Sequence, residues 1–488
     1  MPAREASAGE LRVRLEECGQ GHLLRFHDTL SERERRALLE QIAALDLASI
    51  PELVARYVKG KPGLEVDTAS LEPAPYYPRD PADRNRAWDR ARFRKLGEEL
   101  IGAGKVAAFT VAGGQGTRLG HDGPKGTFPG GPVTGKPLFA CLADWILAAQ
   151  RRWLPSGRSI PWYVMTSPIN HEATVSFFKA NRFFGMAERD VMFFAQGVMP
   201  SFDMASGRIL LDQPGVVATN PDGHGGSLRA LHQSGALDDM SERGIEHISY
   251  VQIDNPLARV IDPVFIGLHA HAEDSSGEMS SKMVEKTNAE ERVGVFARSG
   301  GRTLVVEYSD LPRELAGQRG PDGRLRFKAG SIAVHVLGTG FVRRLNEGGA
   351  GGESFALPYH RAEKKVPYID LESGKRVEPA AANAVKLETF VFDAIPLCRA
   401  SIVMETDRVE EFAPIKNADG ADSPATCAAL QTERAARWLA AAGVAVPRRA
   451  DGAPDCTIEI SPLTAMYAED LPRSKLPARI ERGARLAL

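Results

Sequence analysis

The sequence predicts an α/β fold with a helical N-terminal unit and a small C-terminal domain. From Lys105 onward, short apolar runs rich in β-branched and aromatic residues alternate with segments of helical periodicity. Such alternation is typical of a mostly parallel sheet that is covered by helices. The runs that we predict to be strands are 106–112, 161–166, 191–194, 247–253, 293–296 and 303–308. Beyond Val409 the alternation fades, and this change predicts a separate C-terminal region.

The N-terminal unit is predicted to be helical because its apolar residues recur at intervals of three and four. Ser31 and Glu34 form a capping-box pattern immediately before these residues. The recurring apolar residues are Leu38, Leu39, Ile42, Leu45, Leu53, Val54 and Tyr57. Five prolines within 61–81 then remove backbone donors from any helix or sheet. We therefore predict an N-terminal region over 1–95, a central domain over 96–405 and a C-terminal region over 406–488.

Length and charge exclude several classes of protein. A chain of 488 residues is too long for one compact core, so more than one packed unit is expected. Lys and Arg number 61 against 63 Asp and Glu, so the chain has no general attraction to polyanionic surfaces. We expect neither nucleic acid nor a membrane surface as a partner. Hydrophobic residues make up 43% and charged residues 25%, a composition that excludes wholesale disorder.

Cysteine usage and hydropathy predict where the protein works. Its five cysteines are scattered and contain no C-x-x-C pair, which argues against a disulfide framework and a zinc ribbon. The longest apolar stretch, 438–446, is much shorter than the ~20 residues that a membrane span needs. We read no signal peptide over the first 30 residues and expect a cytoplasmic protein.

The segment 106–120 carries the strongest chemical signal in the chain. A predicted strand runs directly into Gly113, Gly114 and Gly116, which let the backbone approach an anion closely. Amide groups at such a turn can hold phosphate oxygens, and Arg118 and Lys125 follow as cations for the same anion. The alternative is a structural glycine turn with surface cations. The Gly-Thr-Arg and Pro-Lys combination favours phosphate binding.

Two better-known phosphate-binding motifs nearly match and fail. The dinucleotide pattern G-x-G-x-x-G needs a glycine where Leu119 stands. Residues 130–136 match most of the Walker A motif, yet Pro137 stands at the next position, where a Ser or Thr must ligate magnesium. No hydrophobic strand leads into this second loop, so we reject both motifs.

The stretch 113–120, with Pro124-Lys125-Gly126 after it, resembles the nucleotide-binding loop of eukaryotic-type UDP-sugar pyrophosphorylases, most closely the UDP-N-acetylglucosamine branch. The resemblance extends from about 87 to 417 in blocks that follow the order of the family. These blocks include 167–174, 183–185, Gln196-Gly197, Asp254-Asn255, 262–267, Glu307-Tyr308, Lys364-Lys365, 388–393 and 414–417.

The resemblance implies a fold and a reaction. The fold is a Rossmann-like mixed sheet flanked by helices, of the nucleotide-diphospho-sugar transferase type, with 96–405 as the catalytic domain. The reaction joins UTP and a sugar-1-phosphate, either N-acetylglucosamine-1-phosphate or glucose-1-phosphate, to give a UDP-sugar and pyrophosphate. Such transfer needs no protein nucleophile, because catalysis consists of positioning two polyanions and stabilising developing charge. The implied cofactor is Mg²⁺, with Mn²⁺ as a substitute, and we expect a monomer or a weak homo-oligomer.

The resemblance also implies roles for individual residues. The amides of Gly113, Gly114 and Gly116 line the nucleotide, and Gln196 and Gly223 read the uracil edge. Arg118, Lys125 and Lys416 are the catalytic cations, the first two at the departing phosphates and Lys416 at the transferring phosphate. Asp254 holds the magnesium ion, for which an oxygen ligand is suitable. The alternative for Asp254 is a helix-capping role. Lys365 is a further candidate for phosphate, and the resemblance does not separate it from Lys364.

Sugar recognition is where the sequence departs from the family. The residues implied for the sugar are His224, Glu307, Tyr308, Ser331, Phe390 and Phe392. The family's Gly-Asn-Gly-Gly block reads Gly-His-Gly-Gly over 223–226, and its Ala-Gly-Asn-Ile block reads Ala-Gly-Ser-Ile over 329–332. Phe390 and Phe392 alternate as they would on one face of a strand. Three hypotheses stay open: relaxed choice of sugar, specificity for glucose, and a catalytically silent UDP-sugar binder.

His269 and His271 form a further candidate pair. Their alternation would place both imidazoles on one side of a strand, where they could bind a metal ion. No third ligand lies nearby in the sequence, and the family uses magnesium through oxygen atoms. We therefore favour a structural role for these two histidines.

Overall fold

The computed structural model describes residues 8–60, 68–347 and 355–488. Residues 61–67 of the proline-containing boundary segment lie outside the described residues. The α-helices are α1 (Ala8–Glu17), α2 (Glu32–Ala43), α3 (Ile50–Leu53), α4 (Arg90–Gly102), α5 (Leu138–Trp153), α6 (His171–Ala180), α7 (Gly226–Gln233), α8 (Ala236–Glu242), α9 (Pro263–His271), α10 (Arg313–Gly317), α11 (Thr339–Asn346), α12 (Arg408–Glu411) and α13 (Pro424–Ala441).

The strands are β1 (Glu72–Pro73), β2 (Val106–Val111), β3 (Trp162–Thr166), β4 (Val191–Ala195), β5 (Val198–Pro200), β6 (Phe202–Asp203), β7 (Leu211–Gln213), β8 (Val216–Val217), β9 (Thr219–Pro221), β10 (His247–Gln252), β11 (Met279–Glu285), β12 (Val295–Ser299), β13 (Arg302–Val306), β14 (Ala329–Gly338), β15 (His360–Lys364), β16 (Tyr368–Ile369), β17 (Arg376–Val377), β18 (Ala384–Glu388), β19 (Val403–Glu405), β20 (Thr457–Glu459) and β21 (Arg485–Ala487). Short 3₁₀ helices include Thr117–Leu119, Lys125–Thr127, Arg182–Gly185 and Val391–Leu397, and Val54–Lys59 is a π-helix.

The chain divides into two compact units. The small unit comprises Met1–Val66, Gly197–Ser227 and Leu357–Val391, and the large unit comprises Asp67–Gln196, Leu228–Ala356 and Phe392–Leu488. Each unit is therefore assembled from three separate stretches of sequence. The boundaries 1–95, 96–405 and 406–488 describe the order along the chain and stay a prediction.

The large unit contains a ten-stranded mixed sheet within the described residues. Strands β10, β2, β3 and β4 are parallel neighbours, whereas β14 pairs antiparallel with β10, β11 and β12. The predicted mixed sheet is confirmed, and each predicted strand run overlaps an observed strand. The predicted mostly parallel arrangement is observed only in the half of the sheet that contains β2. Strands β11 and β14 were not predicted, since buried polar residues such as Ser280, Ser281 and Lys282 interrupt the apolar pattern of β11.

The core of the large unit lies between the sheet and its helices. Helix α5 buries eleven of its residues, from Leu138 to Ala149, and packs among Trp162, Val164 and Phe178. Because β2 and β3 are covered in this way, their sequences are almost continuously apolar. The C-terminal residues of this unit have a core of their own, which includes Trp438, Leu439, Ile458 and Ile460.

The small unit packs helices α1, α2 and α3 with several short antiparallel sheets. Strands β15, β18 and β6 form the largest of these, and Leu38 and Ile42 pack in one cluster with Phe202 and Leu387. The predicted helical N-terminal unit is confirmed. Its capping box is also present, because the Ser31 N–H donates to Glu34 Oε2 at 2.8 Å and the Glu34 N–H donates to Ser31 Oγ at 3.4 Å.

His269 and His271 lie on a helix, and the strand that would place both imidazoles on one side is not formed. Asp262 accepts a hydrogen bond from the Val264 N–H and Pro263 follows it, so this segment begins a helix, α9. His269 is buried, and its Nδ1 lies 2.9 Å from the Ser280 hydroxyl. Within the described residues, no group of three or more His, Cys, Asp or Glu side chains could hold a metal ion.

Helix length and hydropathy also bear on membranes. Of the helices in the described part of the chain, none is both long enough and apolar enough to span a bilayer.

A buried imidazole, that of His269, and a partly buried one, that of His247, predict sensitivity to acid. The His247 and His269 rings lie 5.3 Å apart between centroids, and burial lowers the pKa of both, that of His247 to about 4. Below about pH 6.5 the unfolded chain binds a proton on His247 that the folded chain does not bind until about pH 4, and the pKa of His269 is shifted in the same direction. We expect the free energy of unfolding to fall by about 1–3 kcal/mol on account of His247 as the pH drops across this window.

Urea denaturation between pH 7.5 and 4.5 measures this effect. His247→Gln should reduce the pH dependence relative to the unmodified protein, since it removes one titrating group. An unchanged pH dependence in that variant would show that His247 does not contribute.

Candidate active site

The glycine loop begins where β2 ends. The Ala112 N–H donates to the Met165 carbonyl at 2.7 Å and thereby continues the bonding between β2 and β3. The next three amide groups, those of Gly113, Gly114 and Gln115, donate no hydrogen bond to any described residue. Three successive donors at the end of a parallel strand form a typical binding site for an anionic or carbonyl oxygen. The Gly116 N–H instead donates to the Gly123 carbonyl at 3.0 Å, and its role as a nucleotide ligand stays a prediction.

Gln196 lies beside this loop. It follows β4, and its backbone N–H donates to the Thr166 carbonyl at 2.8 Å. Its side-chain amide lies 3.0 Å from the point that a Cβ atom would occupy on Gly113. The structure therefore brings Gln196 and Gly113 together, and their shared role with the nucleotide stays a prediction.

Lys125 and Asp254 meet at the same edge of the sheet. Asp254 follows β10, the parallel neighbour of β2, and Lys125 follows the glycine loop. The Lys125 N–H donates to the Gly114 carbonyl at 3.1 Å, and its Nζ lies 3.4 Å from Asp254 Oδ2. Both side chains are nearly buried, at 15% and 12% exposure. Partial burial strengthens the attraction between such charges relative to a solvent-exposed pair.

Asn255 links this carboxylate to the segment that carries Lys416. Its Oδ1 accepts from the Ala413 N–H at 3.0 Å, and its Nδ2 donates to the Glu411 carbonyl at 2.7 Å. The Asp254 carbonyl also accepts from the Ile415 N–H at 2.9 Å. Sequence reasoning did not assign Asn255 to the site, although its position next to Asp254 was a usable signal.

Lys416 extends from this segment toward solvent. Its Nζ lies 3.7 Å from Asp422 Oδ2, and the Lys416 N–H donates to the Asp422 carbonyl at 2.6 Å. Because the side chain is only partly buried, a phosphate can compete with Asp422 for the ammonium group.

A buried ion network lies next to the Lys416 segment. The Lys282 ammonium is fully buried and donates to Asp262 at 2.6 Å and to Glu411. Burial raises the pKa of Asp262, but the charges of Lys282 and Arg259 outweigh it and lower that pKa to about 2. The network therefore stays ionised, and it fixes Glu411 at the start of the segment that leads to Lys416.

Arg118 lies on the exposed 3₁₀ helix Thr117–Leu119. Its guanidinium makes no ion pair with the part of the chain that the structure describes.

Glu307 and Ser331 lie together beside Gly294. The Glu307 carboxylate lies 3.1 Å from the Cβ position of that glycine, and the Ser331 N–H donates to its carbonyl at 2.8 Å. Tyr308, next to Glu307, is 49% exposed.

The small unit contains Gly223, His224 and Phe390. Gly223 adopts a φ of +86°, and a Cβ atom there would lie 2.3 Å from the Thr389 carbonyl oxygen, so only glycine fits. The His224 ring stacks on Phe390 with centroids 5.1 Å apart, and His360 stacks on Phe390 at 4.1 Å.

The protonation state of His224 follows from its contacts. Burial, aided by the neighbouring His360, lowers the pKa of His224 to about 4, so the ring is neutral at physiological pH. Nδ1 accepts from the Val391 N–H at 3.1 Å, which places the proton of the neutral ring on Nε2. Nε2 is thus a hydrogen-bond donor.

The predicted strand through Phe390 and Phe392 is wrong. Strand β18 ends at Glu388, and Thr389 turns away because its N–H donates to the Asp222 carbonyl at 2.8 Å while its own carbonyl accepts from the Gly225 N–H at 2.8 Å. Phe392 lies on the 3₁₀ helix Val391–Leu397. The roles of Phe390 and Phe392 with the sugar stay predictions.

Lys364 ends β15 and is exposed, as is Lys365, and the structure gives neither lysine a ligand.

The Walker-like loop is filled by the chain itself. The Val133 and Thr134 N–H groups donate to Glu459 Oε2 at 3.0 and 2.9 Å, and the Thr134 hydroxyl donates to Glu459 Oε1 at 2.7 Å. This loop binds a carboxylate of the C-terminal region, which agrees with its rejection as a nucleotide site.

Comparisons with known proteins decide the family. The family model described as UTP–glucose-1-phosphate uridylyltransferase matches residues 78–423. This chain belongs to that family. UDP-N-acetylglucosamine diphosphorylase 2 of Arabidopsis thaliana is 36% identical over 488 residues, which cover 96% of this chain and 92% of that protein. UDP-N-acetylglucosamine pyrophosphorylase of Saccharomyces cerevisiae is 32% identical over 470 residues, with 94% of this chain and 95% of that protein covered.

A solved structure confirms the fold class. The uridine diphosphate N-acetylglucosamine pyrophosphorylase of Trypanosoma brucei, determined with an inhibitor, superposes with a TM-score of 0.80 at 29% identity. The match covers 98% of this chain and 99% of that chain. The family resemblance drawn from the sequence blocks over about 87–417 is therefore confirmed.

Proposed function

We propose that this chain transfers a uridylyl group from UTP to a sugar-1-phosphate and releases pyrophosphate. The observation that supports this most directly is the Lys125–Asp254 pair, 3.4 Å apart at the sheet edge where the amides of the glycine loop are available. An acid and a cation beside open amides suit a triphosphate with its counter-ion. The family to which the chain belongs is named for such a reaction.

The reaction is a direct displacement. An oxygen of the sugar phosphate attacks the α-phosphorus of UTP, a new P–O bond forms, and the bond to the β-phosphate oxygen breaks. The glycine-loop amides and Gln196 hold the nucleotide. Lys125 and Arg118 stabilise negative charge on the departing pyrophosphate, and Lys416 neutralises charge on the transferring phosphate. None of these groups forms a covalent bond with the substrate.

We also propose Mg²⁺ as the cofactor, with Mn²⁺ as a substitute. Asp254 supplies one nearly buried carboxylate, and Mg²⁺ typically binds one or two carboxylates together with substrate phosphates and waters. Such an ion, when bound, neutralises phosphate charge. A structural zinc site needs four protein ligands, which the surroundings of Asp254 do not offer within the described residues.

For the sugar, we propose relaxed choice at C2, with acceptance of both N-acetylglucosamine-1-phosphate and glucose-1-phosphate. His224 and Ser331 stand where the family has asparagine. A neutral imidazole with its proton on Nε2 donates one hydrogen bond, whereas an asparagine amide both donates and accepts. Glu307, Tyr308, Phe390 and Phe392 are proposed as further sugar contacts, and Gly223 as a uracil contact. The curated relatives named for N-acetylglucosamine favour that sugar as one substrate.

For partners and location, we propose a monomer or weak homo-oligomer in the cytoplasm, with UTP and a sugar-1-phosphate as its ligands and no nucleic acid or membrane partner. The near-neutral charge and the scattered cysteines support this proposal. Size-exclusion chromatography with light scattering gives the oligomeric state.

Release of pyrophosphate from UTP, with each sugar-1-phosphate supplied in turn, tests the proposed reaction. We expect release only when both substrates and Mg²⁺ or Mn²⁺ are present, none with a chelator, and no rescue by Zn²⁺. A protein that binds UDP-sugar but releases no pyrophosphate under any of these conditions is the silent binder instead.

Lys125→Ala and Arg118→Ala should lower kcat by about 10²-fold or more, because each removes a positioned cation from developing charge. Affinity for UDP-sugar should change much less, since that product lacks the departing phosphates. Steady-state kinetics and calorimetry measure the two effects, with Lys95→Ala, a surface lysine on α4, as the control. Equal losses in turnover and in product affinity would show that the assigned role is wrong.

The paired substitutions His224→Asn and Ser331→Asn should shift preference toward N-acetylglucosamine-1-phosphate by about 5- to 150-fold in kcat/KM, because they restore amide partners for the N-acetyl group. Competition assays with both sugar phosphates measure the ratio. Preference by the unmodified protein of more than about 10³-fold for either sugar would contradict relaxed choice.

A further inference from the structure

The side chain of Asn170 donates hydrogen bonds to the glycine loop. Asn170 is 1% exposed and lies between β3 and α6. Its Nδ2 donates to the Ala112 carbonyl at 3.0 Å and to the Gly114 carbonyl at 3.2 Å, and its Oδ1 accepts from the Ser167 N–H at 2.7 Å. Carbonyls only accept and an N–H only donates, so these partners fix the orientation of the amide.

From these contacts we propose that Asn170 is a positioning residue that orients the glycine loop for UTP, an inference that rests on the proposed function. In a trans peptide the C=O and the following N–H point in opposite directions. Asn170 holds the carbonyls of Ala112 and Gly114, and it thereby directs the N–H groups of Gly113 and Gln115 to the other side of the loop. Both N–H groups have no acceptor among the described residues.

A second donor strengthens this orientation. The Lys125 N–H also donates to the Gly114 carbonyl, at 3.1 Å, so that carbonyl receives two hydrogen bonds. These two bonds fix the carbonyl of the peptide between Gly114 and Gln115, and the Gln115 N–H, on the side away from Asn170, is left for a ligand. Rigid, outward-facing amides bind a ligand without a further cost of ordering the loop.

The position of Asn170 in its own helix argues against a merely local role. It occupies the N-cap of α6, where asparagine usually accepts a hydrogen bond from the first turn. Its side chain makes no such capping bond. Its Oδ1, the atom that would cap α6, accepts from the Ser167 N–H instead, and its Nδ2 donates to the loop that follows β2.

Asn170→Asp tests the proposal with almost no change in shape. The variant keeps the oxygen that accepts from Ser167, but it replaces the donor with a carboxylate oxygen facing two carbonyls. We expect the Kd for UTP, measured by calorimetry without sugar phosphate, to rise about 10- to 100-fold. The KM for sugar-1-phosphate should stay within about threefold. Asn181→Asp is the matched control, because Asn181 follows the same helix and donates to the Phe177 carbonyl at 2.8 Å on the surface.

Two further measurements keep the test decisive. Asn170→Ala, which adds no charge, should show a smaller loss of UTP affinity in the same direction. In the unmodified protein, UTP should slow hydrogen exchange of the amides in 113–115, and this measurement needs no variant.

UTP affinity within threefold of normal in folded Asn170→Asp would overturn the proposal, as would equal losses for both substrates or unprotected loop amides. An unmodified protein that binds UTP but releases no pyrophosphate would refute the proposed reaction and leave this binding test intact.

Discussion

The parallel pairing of β2 with β10 is the constraint on which the candidate site depends. Val111 is paired with Gln252, and the Ile253 N–H donates to the Val111 carbonyl at 3.1 Å. The two strands therefore end at the same level, and the residues that follow them lie at one edge of the sheet, where α/β proteins bind ligands. The 3.4 Å contact between Lys125 and Asp254 follows from this register.

Buried polar side chains then connect the loops at this edge. Asn170 ties the loop after β3 to the loop after β2, and Asn255 ties the turn after β10 to the segment before Lys416. A buried amide that satisfies three backbone groups has few alternative arrangements, since each lost bond leaves an unpaired polar group. The antiparallel half of the sheet adds Lys282, which fixes its two carboxylate partners, Asp262 at the start of α9 and Glu411 at the start of the segment that leads to Lys416.

Much of the fold was predictable because its signals are local. Strands β2, β3 and β10 are short apolar runs, and two residues close in sequence, Ser31 and Glu34, form the capping box of α2. Strand β11 was missed because Lys282 is buried by partners that are distant in sequence. The helix at His269 and the turn at Thr389 were missed for a related reason: an N-cap and a tertiary hydrogen bond outweighed a two-residue alternation.

The candidate site was predictable where a motif carries chemistry. Residues 113–125 pointed to an anion, and Asp254 was named from the block around it. Asn170 and Asn255 were not assigned to the site, because their roles are hydrogen bonds to backbone groups that are distant in sequence, and only the position of Asn255 next to Asp254 was a signal. Family membership supports the reaction class, whereas the geometry of the loops supports the roles of individual residues.

The most direct test of this account is a double-mutant cycle on Lys125 and Asp254. The kcat/KM for UTP is measured in saturating Mg²⁺ for the unmodified protein, Lys125→Ala, Asp254→Ala and the double variant. If the β2–β10 register makes the two groups act together on one triphosphate, the double variant loses at least about tenfold less than the product of the single losses. Losses that multiply, within about twofold, would show that the two residues act independently and would contradict the account.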